Sequence, residues 1–198
     1  MAKANPQKPC KPCSVSSGGQ EIRIRRLEPQ DDRSGFRSGN IDLDRFFQRY
    51  AGKNQFRHHI GTTYVAVQGH HIAGFATVSS GELAAETVTK ALRRRLPTYP
   101  LPILRLARLA VDKRFQGHGI GRLLLRAMLE LAVEMRDRLG CIGVVVDAKS
   151  EAVDFYTGMG FRPMQLISGS LGDRPEPIAM FLPIRDIAAA AERTDKGT

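Results

Sequence analysis

Arg108-Leu-Ala-Val-Asp112, followed by Gln116-Gly-His-Gly-Ile-Gly-Arg122, is the stretch on which the fold turns. The run that leads into it, Ile103 to Asp112 (ILRLARLAVD), reads as a β-strand, but Leu104 and Leu106 have one parity while Leu109 and Val111 have the other. One extra residue near Ala107 reconciles them. A β-bulge there puts Leu104, Leu106, Leu109 and Val111 on one face and Arg105, Arg108 and Asp112 on the other, and bulges often flank places where a ligand approaches the backbone. Downstream, Leu124, Met128, Leu131, Met135 and Leu139 step at helical spacing until Gly140. Strand, glycine turn and long helix in that order offer unpaired N–H groups and the positive end of a helix dipole, a setting that binds phosphate.

Spacing separates three kinds of phosphate loop. The triphosphate loop G-x-x-x-x-G-K-[ST] fails, because no Lys-Ser or Lys-Thr follows these glycines. The dinucleotide fingerprint begins at Gly117 and Gly119, and Asp147 could act as its ribose-binding acid, but its third glycine falls on Arg122. That fingerprint also belongs after a first strand, whereas several strands precede this one. The pattern that fits is [R/Q]-x-x-G-x-[G/A], as Gln116-x-x-Gly119-x-Gly121.

Working outward, 198 residues that are 42% hydrophobic and 25% charged suit one well-filled domain and exclude a disordered or fibrous polymer. No run reaches the ~18 apolar residues of a membrane-spanning helix, and Met1 to Val15 is polar and proline-interrupted, so the expected location is cytoplasmic. The net charge of +10 is uneven: residues 1–20 carry +3, 21–89 +1, 90–114 +7 and 115–198 −1. Residues 1–20 are expected to form a disordered basic tail. Its Cys10-x-x-Cys13 has no second pair or nearby His, and Cys141 is far away, so no metal site is expected.

Ile22, Ile24 and Leu27 alternate with arginines over Glu21 to Leu27, which predicts a first strand. Ser38-Gly39-Asn40 supplies a cap, and Leu43, Phe46, Phe47 and Tyr50 predict a helix over Ile41 to Ala51 that stops at Gly52. Thr62–Val67 and His71–Ser79 form a predicted hairpin around Gln68-Gly69-His70, with His70 and His71 at the turn. Pro97, Pro100 and Pro102 are expected to forbid regular structure before the bulged strand. Cys141 to Asp147 is a buried-type strand beside it. A short helix capped by Ser150 carries Ala152, Phe155, Tyr156 and Met159, and a last strand, Ile178 to Ile184, lies near an edge because of Pro183.

From about Glu21 to Ile184 the chain resembles the GNAT family of acetyl-CoA-dependent N-acetyltransferases. Two motifs carry the resemblance: Arg108–Arg122, and Asp154-Phe-Tyr-Thr-Gly-Met-Gly-Phe161 about 35 residues later. It implies an α/β (α+β) fold, a central mixed, mostly antiparallel sheet flanked by helices, with the acetyltransferase domain at 21–185 and a C-terminal tail at 186–198. Gly35-Phe36-x-Ser-Gly39, Leu43-Asp-x-Phe-Phe47, Asn54-Gln55 and Thr63-Tyr-Val-Ala66 are similar to the toxin branch of toxin–antitoxin pairs, which acetylates the amino group of aminoacyl-tRNA. A cysteine is common in that branch where this chain has Ser38, and the tail to Gln20 has no counterpart there.

The resemblance assigns roles. Leu109, Ala110 and Val111 pair through their main chain with the pantetheine arm of acetyl-CoA. Gln116, Gly117, His118, Gly119, Ile120, Gly121 and Arg122 hold the diphosphate, to which Arg114 and Arg122 could add charge. Tyr156 is the general acid for the departing thiolate, its pKa of ~10 matched to a thiol of ~8.5. The residues themselves offer no unambiguous base: His58, His59, His70 and His71 belong to loops or strand ends, and His118 to the phosphate loop. An α-amine, which titrates near ~7.7–8.0, needs none, although Glu82 or Glu86 could serve another type of acetylase. Arg93, Arg94, Arg95 and Arg108 suit the phosphates of tRNA, or else a solvated loop or an antitoxin-docking surface. The implied partners are aminoacyl-tRNA and a ribbon-helix-helix antitoxin, with a homodimer left open and no membrane. Acetylation of a protein or small amine, and a non-catalytic RNA-binding module, are the competing readings.

Overall fold

The computed structural model describes residues 14–17, 20–84, 97, 99–164 and 177–195. Their strands form one eight-stranded sheet in the order β1-β2-β3-β4-β5-β6-β8-β7. The strands are Ser14–Ser17 (β1), Gln20–Arg26 (β2), Thr62–Gln68 (β3), His71–Leu83 (β4), Leu101–Val111 (β5), Gly143–Ala148 (β6), Arg162–Pro163 (β7) and Ile178–Pro183 (β8). Neighbours are antiparallel except β5 and β6, which run parallel and pair only from Leu104↔Val144 to Leu106↔Val146. The bulge predicted at Ala107 is present: Thr77 faces Arg108 and Val78 faces Leu106, leaving Ala107 unpaired.

One face of the sheet is covered by Ile120–Arg138 (α3), whose Leu124, Leu125, Met128 and Ala132 are buried. Because the bulge switches parity, Leu104, Leu106, Leu109 and Val111 all pack on this side, with Ile120, Leu124 and Tyr156. The other face carries two smaller apolar clusters. In one, Leu27, Phe36, Phe46, Phe47 and Ala51 pack on Val65, Phe75 and Ala110; in the other, Leu83 and Ile103 pack on Val145 and Phe181.

The helical segment predicted to stop at Gly52 continues to Phe56, as Ile41–Arg45 (α1), a π-helical turn Phe46–Tyr50 and Ala51–Phe56 (α2). Asn40 caps it by accepting from the Leu43 N–H at 3.2 Å. The wider turn lets the adjacent Phe46 and Phe47 both face the sheet, where Phe47 stacks on Phe75 at 4.3 Å, and it carries Tyr50 outward to 47% exposure. Gly52 is buried against the Arg33 guanidinium, which a Cβ would meet at 2.9 Å. It is a packing glycine and not a stop.

Four further expectations change. Ser14–Ser17, inside the stretch expected to be disordered to residue 20, forms an edge strand in which Val15 pairs with Ile22; residues 1–13 lie outside the described residues. Pro102 sits within β5 opposite Glu82, and its carbonyl accepts from the Ile142 N–H at 2.9 Å, so the strand starts before the last proline. The expected tail from residue 186 is occupied by the helix Ile184–Asp195 (α5), anchored by the buried Ile187 and built from an alanine run of high helix propensity. The short helix Val153–Thr157 (α4) follows a 3-10 turn at Ser150–Ala152, and Ser150 makes no cap: its hydroxyl donates to Glu151 at 3.3 Å. The last strand is covered at its edge by the two-residue β7. No helix among the described residues is long and apolar enough to cross a membrane.

Candidate active site

The glycine loop lies where β5 hands over to α3. Asp112 caps a 3-10 turn, Lys113–Phe115, and the chain then passes through Gly117 and Gly119 with φ of 79° and 77°. Both are in the left-handed region that costs an L side chain roughly 1–2 kcal/mol, and nothing lies within 4 Å of where a Cβ would be. Gly119 is the N-cap of the 19-residue α3, so the N–H groups of the first helical turn are free to meet an anion in front of it. Val111, Gln116, Gly117, Gly119–Arg122 and the ring of Phe155 wall a cavity of about 380 Å³. A larger groove of about 430 Å³ runs between β3–β4 and the far end of α3. It contains no glycine turn at a helix N-terminus, so size alone does not mark the site.

Past Leu106 and Val146 the parallel strands part, and over Ala107–Val111 the edge of β5 that faced β6 has no strand beside it among the described residues. This free edge adjoins the glycine loop. On the sheet face away from α3, the two small apolar clusters flank a polar strip made by Thr63, Thr77, Ser79, Arg105, Arg108 and Asp147. Thr63 and Thr77 share a hydroxyl–hydroxyl bond of 2.9 Å, and Arg105 is paired with Asp147 across the parting strands at 2.5 Å. Arg108 has no carboxylate partner among the described residues; its guanidinium lies 3.8 Å over the Phe46 ring, and burial lowers its pKa. Among the described residues this strip holds no unpaired carboxylate or imidazole. Glu82 shares the parity of Val78 and Ser80 and stands on the opposite face, and Glu86 lies outside the described residues, as do Arg93, Arg94 and Arg95.

Tyr156, on α4, is 6% exposed and packs edge-on against Phe155 at 5.1 Å and Phe161 at 5.5 Å. It belongs to the same cluster as Leu109, Val111 and Ile120, one ring away from the cavity wall. Desolvation pushes its phenol up to about 12. The Tyr156 hydroxyl is not one of the sealed, unpartnered polar atoms, which among the described residues are those of Arg33 alone.

Several predicted ligand groups turn out to have internal partners. Arg114 is held by the buried Asp112 at 2.9 Å, which leaves Arg122 as the exposed loop arginine without an ion-pair partner among the described residues. Burial opposes the Asp112 charge, but the Arg114 side chain and the N–H groups of Arg114 and Arg37 outweigh it and lower its pKa. The Gln116 amide donates to the Ser38 carbonyl at 2.9 Å and to Val111 O at 3.1 Å. Ser38 in turn donates its N–H and hydroxyl to Asp44 of α1 at 2.7 and 2.6 Å. His118 is exposed, its ring Nδ1 2.8 Å from Gln116 O. Reading the sequence did not find the Ser38–Asp44 contact, the seat of Arg108 on Phe46 or the Thr63–Thr77 pair. The alternation Phe75, Thr77, Ser79 on β4 was the available signal for the last.

Residues 59–163 match the model of the acetyltransferase (GNAT) domain. A tRNA-acetylating toxin of Mycobacterium tuberculosis (strain ATCC 25618 / H37Rv) is 33% identical over 138 residues, 69% of this chain and 82% of its own length. Among solved structures, AtaT complexed with acetyl-methionyl-tRNAfMet superposes with a TM-score of 0.74 at 22% identity, covering 86% of this chain and 99% of that one. A mutant AtaT bound to the C-terminus of the antitoxin AtaR and acetyl-CoA gives 0.67 at 23% identity, covering 85% and 97%. With the motif in sequence, the bulged strand, the parted sheet and the domain match in agreement, this chain belongs to the GNAT acetyltransferase family.

Proposed function

We propose that the chain transfers acetyl from acetyl-CoA to the α-amino group of aminoacyl-tRNA and thereby blocks translation, in a pair with a ribbon-helix-helix antitoxin. The observation that carries this reading is the polar strip without a free base. At neutral pH a sizeable fraction of an α-amine (pKa ~7.7–8.0) is already neutral, against roughly one part in a thousand of a lysine (pKa ~10.4). A strip whose described residues supply no free base suits the first. The relative named for tRNA acetylation supports the same substrate. Charged tRNA places the reaction in the cytoplasm.

The free edge of β5 at Leu109, Ala110 and Val111 receives the pantetheine arm. The N–H groups of Gly117 to Arg122 receive the diphosphate, with Arg122 adding charge. His118 and Gln116 act through their main chain, since the Gln116 amide is already engaged. The amine nitrogen attacks the thioester carbon, the C–S bond breaks, the thiolate departs and the nitrogen loses a proton to water. Tyr156 donates to the sulfur. With a phenol raised to about 12 against a thiol of ~8.5, full transfer runs uphill, so its role is a hydrogen bond that strengthens as negative charge builds on sulfur. Arg108, and Arg93, Arg94 and Arg95 from the basic stretch, contact tRNA phosphates.

Incubation with labelled acetyl-CoA and total charged tRNA tests this. The expected result is label on an aminoacyl species, lost as salt rises and when Arg93, Arg94 and Arg95 are neutralised together. Label that goes to proteins or free amines without tRNA overturns it in favour of another acetylase. RNA binding with the thioester left intact overturns the enzyme altogether.

A further inference from the structure

The loop that follows β5 and the entry to α1 lie 78 residues apart at Ser38 and Gln116, yet they share one chain of hydrogen bonds. Gln116 donates to Ser38 O, and Ser38 donates through its N–H and its hydroxyl to the Asp44 carboxylate. A second thread runs alongside: the Arg37 N–H donates to Asp112 at 3.1 Å, and the Lys113 N–H donates to Arg37 O at 2.8 Å. Asp44 is two residues before Phe46, the ring under Arg108, and three before Phe47, which stacks on the sheet. The chain therefore begins at the residue before the first loop glycine and ends at the element that shapes the polar strip.

We infer that Gln116 is a positioning residue that transmits occupancy of the glycine loop to α1, so that the acceptor face takes its working shape when acetyl-CoA is bound. The inference rests on the acetyl-CoA part of the proposed function and not on the identity of the acceptor. An exposed loop with two left-handed glycines is restrained once a diphosphate satisfies its N–H groups. That restraint passes to Ser38 through the Gln116 amide and to α1 through Asp44. Coupling of this kind is reciprocal, so the acceptor also tightens acetyl-CoA. A relay of single hydrogen bonds supports a coupling of about three- to tenfold.

Hydrogen exchange with acetyl-CoA as the only ligand tests it. In the wild type, acetyl-CoA should slow exchange both at residues 117–123 and at residues 37–47. Gln116→Leu and Asp44→Ala should keep the first protection and lose the second. Asp44→Asn, whose Oδ1 still accepts from Ser38, should retain both. In turnover with charged tRNA, Asp44→Ala should raise KM for the tRNA about three- to tenfold with little change in kcat. Absence of protection at 37–47 in the wild type, or full protection there in Asp44→Ala, overturns the inference. If Gln116→Leu fails to bind acetyl-CoA, Asp44→Ala alone decides. If tRNA is not the acceptor, the exchange result still stands, so the two failures are distinguishable.

Discussion

Replacing Tyr156 by Phe separates the chemical use of its hydroxyl from the packing of its ring. The ring is buried between Phe155 and Phe161, contacts that Phe preserves, and no described side chain hydrogen-bonds the hydroxyl. Near pH 7 the substitution should therefore change stability by no more than about 0.5 kcal/mol, or roughly 1–2 °C in Tm. Turnover should drop about 10²- to 10³-fold, the usual cost of removing one hydrogen-bond donor aimed at developing negative charge, with acetyl-CoA affinity retained. The same hydroxyl leaves a mark on stability at high pH. Its pKa is about 12 in the folded chain and ~10 when unfolded, so the folded state holds the proton more tightly. The stabilisation is complete below pH ~10 and is lost as pH rises from there through the folded value, about 2.7 kcal/mol in all. Urea unfolding at pH 8 and at pH 11, beside initial rates with a thiol-trapping reagent, measures both effects. Turnover within threefold of wild type removes Tyr156 from the mechanism. An alkaline loss of stability that is identical in the variant shows that the phenol is not the buried group described here.

Gly143→Ala should destabilise by about 3 kcal/mol or more, because its Cβ would overlap Leu182 O and meet the Phe181 ring at 2.5 Å, where the neighbouring backbone cannot yield. A Tm within 3 °C of wild type would refute this. Asp112→Ala should cost about 2–4 kcal/mol by orphaning the N–H groups of Arg37 and Arg114. Since the Asp112 pKa is depressed, its contribution is present above the unfolded value of ~3.9 and disappears as pH falls through the folded one; an unchanged acid limb in the variant's unfolding curve would count against this. Arg108→Ala should weaken tRNA binding and lower the salt slope by about one counterion, read from binding between low and moderate salt. A slope equal to wild type excludes a phosphate contact.

The part of the fold that repeats at a fixed period was readable in advance. The parity break in Ile103–Val111 located the bulge at Ala107, and the spacing from Leu124 to Leu139 located α3. What escaped depended on contacts made far along the chain. Gly52 reads as a stop by residue type, but it is explained only by Arg33, brought against it by tertiary packing. The α5 helix carries too few apolar residues for a periodic signal, since Ile184 and Ile187 alone pack it on the core among the described residues. In the candidate site, the motif nominated the loop and the tyrosine, whereas the partner of Gln116 could not be read because Ser38 is 78 residues away. The phenol was expected near its ordinary pKa. Burial among aromatic rings raises it, and in the proposed mechanism the hydroxyl is therefore a hydrogen-bond donor and not a source of a transferred proton.

The parallel ladder between β5 and β6 spans only Leu104–Leu106 and Val144–Val146. It is a seam between two antiparallel halves of the one sheet, and a line along which the molecule can open. Much of what holds the halves together is therefore the apolar core beneath α3, which reaches across both. A ligand lying in the cleft beyond the seam would act as mortar between two cooperative units. Without it, β6, β8 and α5 can exchange their amides by opening on their own; with it, they are released only when the whole chain unfolds.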